Sequence, residues 1–371
     1  MKIIAYYLPQ FHEIPENNEW WGDGFTEWTN VKKSEPLYEG HYQPHVPLDG
    51  NYYDLSNDDV LEWQINLAKK HGIYGFCFYH YWFNGRLLLE NPTERYLSNP
   101  SLEFPYCFCW ANHSWTRNWS ARSNEILIKQ EYGGYDKWKS HFDYLLPFFR
   151  DKRYIKKNGK PLFLVFRAEY VPKDMFDCWK TLSVEAGLPG LDIAFCKAGH
   201  EMFGFDKAAD YVVDFQPHYA ISKNRSVLQS YIFKIGQYVF NKYGIGLKYR
   251  DKNNSSVPRL VDYNAIWNNI LSSKPTSESN IPCVYMGWDN TPRYGKNGSV
   301  HINNTPEKFE NFLKKQILRA RDEYKKDILF MFAWNEWAEG AYLEPDEKYG
   351  YGYLEAVRNA LIETDEFPNG A

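Results

Sequence analysis

An excess of either charge is the first thing this sequence lacks. Its 43 basic residues face 47 acidic ones for a formal net charge of −4, and neither sign forms a long run. Such a balance gives no electrostatic footprint for non-specific nucleic-acid binding and no polybasic anchor for an anionic membrane surface. Cysteines in metal-binding or disulfide patterns are missing as well. Cys77, Cys107, Cys109, Cys178, Cys196 and Cys283 include no C-x-x-C pair and mostly fall inside apolar runs. That excludes the usual zinc spacing and a disulfide scaffold, and favours reduced, buried thiols. No apolar run is long enough to span a bilayer. The apolar start, Met1-Lys-Ile-Ile-Ala-Tyr-Tyr-Leu-Pro9, is too short for a signal peptide and has no small-residue cleavage site. A cytoplasmic location is the expectation. No His-x-His or His-Glu-x-x-His spacing offers metal ligands, and no Asp-x-Asp motif or Gly-rich helix start offers a seat for a diphosphate. Neither metal nor cofactor is therefore expected, and nothing in the sequence fixes the oligomeric state.

What the sequence has in excess is aromatic rings: 30 Tyr, 24 Phe and 14 Trp. Ring faces suit the C–H faces of sugars, and Tyr hydroxyls and Trp N–H groups can serve sugar hydroxyls, although the same rings also fill cores. Hydrophobic residues at 44% and charged residues at 24% are an ordinary globular mixture. At 371 residues the chain suits one large α/β barrel as well as two small domains.

Eight apolar runs of strand length decide between these. They are Ile3–Phe11, Gly72–Phe83, Phe104–Trp115, Pro161–Tyr170, Asp192–Gly199, Tyr211–Tyr219, Pro282–Asn290 and Asp327–Trp337. Near-continuous apolarity marks strands buried on both faces, as in parallel sheet. Amphipathic segments lie between them, such as Asp58–His71, behind an Asn/Asp-rich start, and Pro306–Tyr324, which ends in alternating charge. The alternation predicts a single (β/α)₈ TIM barrel over residues 1–371. A doubly wound sheet is the alternative, but no Gly-rich loop follows the first run. Two βα connections, Glu13–Asn57 after strand one and Ala220–Ile281 after strand six, are long enough to be functional lids.

The runs repeatedly close on polar or aromatic residues: His12; His80 and Trp82; Trp110, Asn112 and His113; Glu169; His218; Trp288 and Asp289; Asn335 and Glu336. In a barrel of this kind the C-terminal strand ends surround the active site. The strongest feature is Trp334-Asn-Glu-Trp-Ala-Glu-Gly340. Cleaving a glycosidic bond generally needs two carboxyl groups, one donating a proton to the leaving oxygen and one acting from the other side. Glu336 and Glu339 would repel one another, which raises the pKa of one, and Trp334 and Trp337 could desolvate the pair. The plain alternative is two surface acids in a βα loop.

Several motifs resemble those of the WbsX-type family: Tyr6-Tyr-Leu-Pro-Gln-Phe-His12, Trp20-Trp-Gly-x-Gly-Phe-Thr-Glu-Trp-Thr-Asn30, Gly40-His-Tyr-Gln-Pro-His45, Phe78-Tyr-His-Tyr-Trp-Phe83, Trp110-Ala-Asn-His-Ser-Trp-Thr-Arg117 and Phe332-Ala-Trp-Asn-Glu-Trp-Ala-Glu-Gly340. The likeness covers nearly the whole chain. Members are often named as glycosyltransferases of polysaccharide-synthesis clusters, and the domain is similar to the endo-α-mannosidases of glycoside hydrolase family 99. What the resemblance implies is a metal-independent (β/α)₈ barrel acting on an oligo- or polysaccharide with retention, through a 1,2-anhydro sugar. Glu336 would be the base toward the 2-hydroxyl and Glu339 the proton donor. Around the substrate loops the sequence departs from the mannosidases, which leaves mannose itself open. Candidate substrate-binding residues are Tyr7, His12, Glu27, Trp28, His80, Trp82, Trp110, Asn112, His113, Glu169, Trp288, Asp289, Trp334, Asn335 and Trp337. Glu27 is also a candidate lid cap, the histidines candidate structural groups, and the tryptophans candidate core. A glycosyltransferase of O-antigen or capsule synthesis and a catalytically silent sugar-binding protein are the competing functions.

Overall fold

All eight apolar runs form strands. The computed structural model describes residues 1–117, 125–199, 209–223 and 256–368. In chain order the strands are β1 (Lys2–Tyr7), β2 (Ile73–Phe83), β3 (Tyr106–Trp110), β4 (Lys160–Val165), β5 (Asp192–Cys196), β6 (Tyr211–Val213), β7 (Asn280–Ile281 and Cys283–Tyr285) and β8 (Ile328–Phe332). Each pairs in parallel with its neighbours in sequence, and β8 pairs with β1 at Ile3↔Leu329 and Ala5↔Met331. Pro282 divides β7. The piece before it pairs with β6 and the piece after it with β8, so the sheet returns on itself across the proline. The result is the expected parallel barrel in a new detail, because Pro has no N–H for a ladder and here sits between the two halves of one strand.

Helices cover the outside of the sheet, and their sequences show why. The helix Asp58–Lys70 begins where the Asn57 side chain accepts from the backbone N–H of Asp59. It carries Asp58 and Asp59 in its first turn and Lys69 and Lys70 in its last, matching the helix dipole. Leu61, Gln64, Ile65 and Ala68 form its buried stripe. The helix Pro306–Asp322 starts with Pro at its first position and with Thr305 accepting from the N–H of Lys308. Thr305→Ala is expected to cost about 1 kcal/mol, seen as a lower denaturant midpoint at an unchanged m value.

Residues along a barrel strand alternate between the interior and the helices. Tyr6 points inward, against the rings of Tyr79, Phe215 and Phe330. Tyr7 points outward, between Phe76 and Phe78, and its hydroxyl donates to Gln64 Oε1 at 2.6 Å. The cysteines are free thiols, five of them buried, while Cys178 is half-buried on the helix Lys173–Glu185.

Both long connections are present. The first carries the helices Pro15–Trp21 and Glu27–Lys32. The described part of the second holds the helices His218–Lys223 and Tyr263–Ser272 and a strand, Arg259–Asp262, paired with Ser299–Ile302. Residues 224–255 of that connection lie outside the described residues. Among the described residues no helix is long and apolar enough to cross a membrane.

Candidate active site

Beyond β8 the chain makes a tight hairpin. Asn335–Glu336 pairs antiparallel with Ala341–Tyr342, around a single 3₁₀ turn at Trp337–Glu339. Gly340 closes it in the left-handed region, at φ 60°, where a Cβ would lie 2.8 Å from the Asp289 nitrogen. Only glycine suits that position.

The hairpin is pinned from behind. Asn335 Oδ1 accepts from the Leu8 N–H and its amide donates to the Leu8 carbonyl, stitching the end of β8 to the end of β1. Glu344, buried below, accepts four hydrogen bonds. Trp334 Nε1 and Gln64 Nε2 donate to Oε1, and Trp337 Nε1 and the Tyr53 hydroxyl donate to Oε2, at 2.6–2.9 Å. Burial nevertheless pushes the Glu344 carboxyl up to about 7.

So held, Glu336 and Glu339 face a cavity of about 450 Å³ at the C-terminal end of the barrel. Its walls come from nearly every strand end: Gln10 after β1, Tyr79 and Tyr81 on β2, His113 and Trp115 after β3, Arg167 and Tyr170 after β4, His218 after β6, and Arg293 after β7. Both glutamates share one cation. Arg293 donates to Glu339 Oε1 at 2.5 Å, to Glu336 Oε2 at 3.2 Å, and through Nε to Glu27 Oε1 at 2.9 Å. Burial and the negative charge of Glu339 push Glu336 up to about 8 against the pull of Arg293. Burial also raises Glu339, again opposed by Arg293. Near neutrality such a pair holds one proton in common, because like charges this close cannot both be bare at low cost. The arrangement can give one proton and accept another within an aromatic-walled cleft.

Of the residues singled out by sequence, Glu336, Glu339, His113 and His218 line this cavity, and His113 is exposed in it. The remaining candidates do not line this cavity. Tyr7 and Gln64 form the outward contact described above. His12 borders a separate hollow of about 280 Å³ with Glu13, Glu90 and Arg95. Glu27 is fully buried and holds Arg293. Trp28 donates to the Tyr53 carbonyl and packs on Phe11 and Trp337.

His80, Trp82 and Trp110 face outward toward the helix Tyr135–Arg150. There the His80 and His141 Nε2 atoms are 2.8 Å apart and Trp82 stacks on His141 at 4.5 Å. Burial brings His80 down to about 3, so this imidazole pair is neutral packing. Asn112 binds the Arg167 backbone through both ends of its amide, and Glu169 pairs with the Arg167 side chain at 2.6 Å. Trp288 donates to Ser299 and meets His218 edge-on. Asp289 accepts from His41, Gln43 and Thr291. Trp334, Asn335 and Trp337 brace the hairpin.

Tyr79, Tyr81, Arg167, Tyr170 and Arg293 also line the cavity and are not among the residues that the sequence marks as candidates. The two tyrosines are neighbours of His80 and Trp82 on the opposite face of β2. Arg293 had one available signal: buried carboxylates need a counter-charge, and Thr291-Pro-Arg293 follows a strand end. Among the described residues no group of three or more His, Cys, Asp or Glu could hold a metal ion.

Comparison with known proteins agrees with this architecture. A family model described as Glycosyltransferase WbsX matches residues 3–357. Two curated relatives, each an uncharacterized protein WxcX from a strain of Xanthomonas campestris pv. campestris, are 32% identical over 369 residues. The match covers 98% of this chain and 50% of theirs, so the chain spans about half the length of these relatives. A glycoside hydrolase-like protein of known structure superimposes with a TM-score of 0.60 at 15% identity, covering 100% of this chain and 94% of that one. The family 99 endo-α-mannosidase of Bacteroides thetaiotaomicron gives 0.58 at 13% identity, covering 98% and 97%. At these identities the structural likeness is one of fold.

Proposed function

Because the chain belongs to the WbsX glycosyltransferase family, we propose that it is a carbohydrate-active enzyme, specifically a retaining, endo-acting α-glycosidase that processes a bacterial polysaccharide. The observation that carries this reading is the pair Glu336 and Glu339, both raised by burial, facing one aromatic-walled cleft at the end of β8. In the proposed reaction the sugar 2-hydroxyl oxygen attacks the anomeric carbon while its proton passes to Glu336. The glycosidic C–O bond breaks, and the leaving oxygen takes a proton from Glu339. Water then opens the 1,2-anhydro sugar, restoring both carboxyl groups and the original anomeric configuration. The working state has one proton on the pair. The close Arg293 contact favours the ionised form of Glu339, so productive binding must leave that proton on Glu339 rather than Glu336.

A second reading follows from the family's description, a glycosyltransferase of surface polysaccharide synthesis. One experiment separates the two: incubation with the cognate polysaccharide and, in parallel, with labelled sugar nucleotides. Hydrolysis predicts new reducing ends, with the first-formed anomer retained by NMR. Transfer from a nucleotide donor that survives Glu336→Gln and Glu339→Gln would overturn the glycosidase reading.

A further inference from the structure

The guanidinium of Arg293 is the hub of three carboxylates from three separate elements. Its short helix, Thr291–Tyr294, is held against the hairpin by the Asp289 N–H, which donates to the Glu339 carbonyl, and by Asp289 Oδ1, which accepts from the Thr291 N–H and hydroxyl. From there Arg293 reaches Glu27 on the helix Glu27–Lys32 through Nε at 2.9 Å and Nη2 at 2.7 Å, both to Oε1. The rest of its fork meets Glu336 and Glu339. A planar guanidinium holds its acceptors in fixed in-plane directions, whereas the three donors of an ammonium rotate about its stem. Glu27 itself is fully buried, does not line the cavity, and its Oε2 has no hydrogen-bond partner. A carboxylate placed this way costs free energy unless a cation is fastened to it. It is built to hold Arg293 rather than a sugar.

We infer that Arg293, fastened by Glu27, is the positioning residue that fixes both the geometry and the proton content of the Glu336–Glu339 pair, with Glu27 and Arg293 acting on the pair in opposite senses. The inference rests on reading that pair as the acid–base centre and adds the device that sets it. One cation among three carboxylates leaves an excess of negative charge, which a single proton on the pair relieves. Removing the cation tightens the hold on that proton, and removing the distal carboxylate loosens it. Among the described residues, the ionisable groups that also act on the cluster include Tyr79 and Tyr81 on β2, Tyr294 beside Arg293, and Lys33 beside Glu27. Both directions match the influences on Glu336, which Glu27 raises and Arg293 lowers.

The test is a pH titration of protein labelled with ¹³Cδ-glutamate, followed by NMR without any sugar present. The Glu336 and Glu339 signals are assigned from their loss in Glu336→Gln and Glu339→Gln. Glu27→Gln, which keeps the shape of the side chain, is expected to move the pair's titration to lower pH by about one pH unit, and Arg293→Met to move it up by a similar amount. Arg293→Lys keeps the charge but loses the fork, so its titration should stay nearer the wild type. Its turnover should fall with KM little changed, since positioning rather than binding is lost. Shifts of the same sign in Glu27→Gln and Arg293→Met, or none in either, would overturn the inference. Should Arg293→Met fail to fold, an unmoved titration in Glu27→Gln is sufficient to reject it. Because the titration needs no substrate, opposite shifts in a protein without glycosidase activity would sink the glycosidase reading and leave the charge coupling standing.

Discussion

Glu336→Gln and Glu339→Gln should each lower turnover of the cognate polysaccharide by roughly 10²–10⁴-fold, the usual worth of a positioned acid or base. Each amide keeps nearly the shape of the carboxyl it replaces, so the far-ultraviolet circular dichroism and the denaturant midpoint should change little. Because the two groups work as a unit, the double variant should be scarcely worse than the poorer single one. The same reading fixes a pH profile. With Glu336 pushed up to about 8, the pair keeps its shared proton below that pH and loses it above. The value of kcat/KM should therefore fall on the alkaline side with an apparent pKa near 8, whichever oxygen carries the proton at rest. Either variant retaining a tenth of wild-type turnover would remove its glutamate from the chemistry.

The largest stability effect is expected at Glu344, which touches no substrate-accessible surface. All four of its partners are donors, two at each oxygen. Glu344→Gln would set an NH₂ group against two of those donors, either the indole of Trp337 and the hydroxyl of Tyr53 or, after a flip, Trp334 and Gln64. An unsatisfied buried donor costs about 1–3 kcal/mol, so the variant should lose about 3 kcal/mol or more, read from the denaturant midpoint. The effect also has a pH signature. Burial lifts the folded-state pKa of Glu344 to about 7, well above its ordinary value of 4.5. A carboxyl raised in this way contributes stability below its unfolded pKa and loses it as pH rises through the folded one. The wild type should therefore lose part of its advantage between about pH 5 and about pH 8, whereas the amide does not titrate. The gap between the two midpoints should narrow over that range.

The order of the strands was legible because strands covered on both faces are apolar nearly throughout, and the runs beginning at Ile3 and Gly72 lie where β1 and β2 are found. That same property hid the facing of the side chains. In Phe78-Tyr-His-Tyr-Trp-Phe83 every position is buried, so no polar alternation distinguishes interior from exterior, and His80 and Trp82 were indistinguishable from Tyr79 and Tyr81. The structure puts the tyrosines on the cavity and the other two against a helix. At the end of β3 the same lack of alternation hid that Trp110 faces His141 and Trp179 while His113, just past the strand, lines the cavity. Glu336 and Glu339 stood out by chemistry rather than by periodicity, since carboxylates beside Trp334 and Trp337 break an otherwise apolar pattern. Arg293 was hidden for a different reason. Its importance arises from residues 27, 336 and 339 converging on it, and convergence across more than two hundred residues leaves no trace in local sequence.

The pairing of β8 with β1 also has a kinetic meaning. Leu329 meets Ile3, and Asn335 meets Leu8, across more than three hundred residues. Contacts so distant in the chain carry a large closure entropy and slow the step that makes them. The acid pair lies immediately past that seam, and its counter-ion bridges back to the first loop. The reactive centre is thus assembled only when the barrel's most non-local joint is made. A newly synthesised or refolding molecule would acquire hydrogen-exchange protection in β2 to β4 before it can acquire the chemistry.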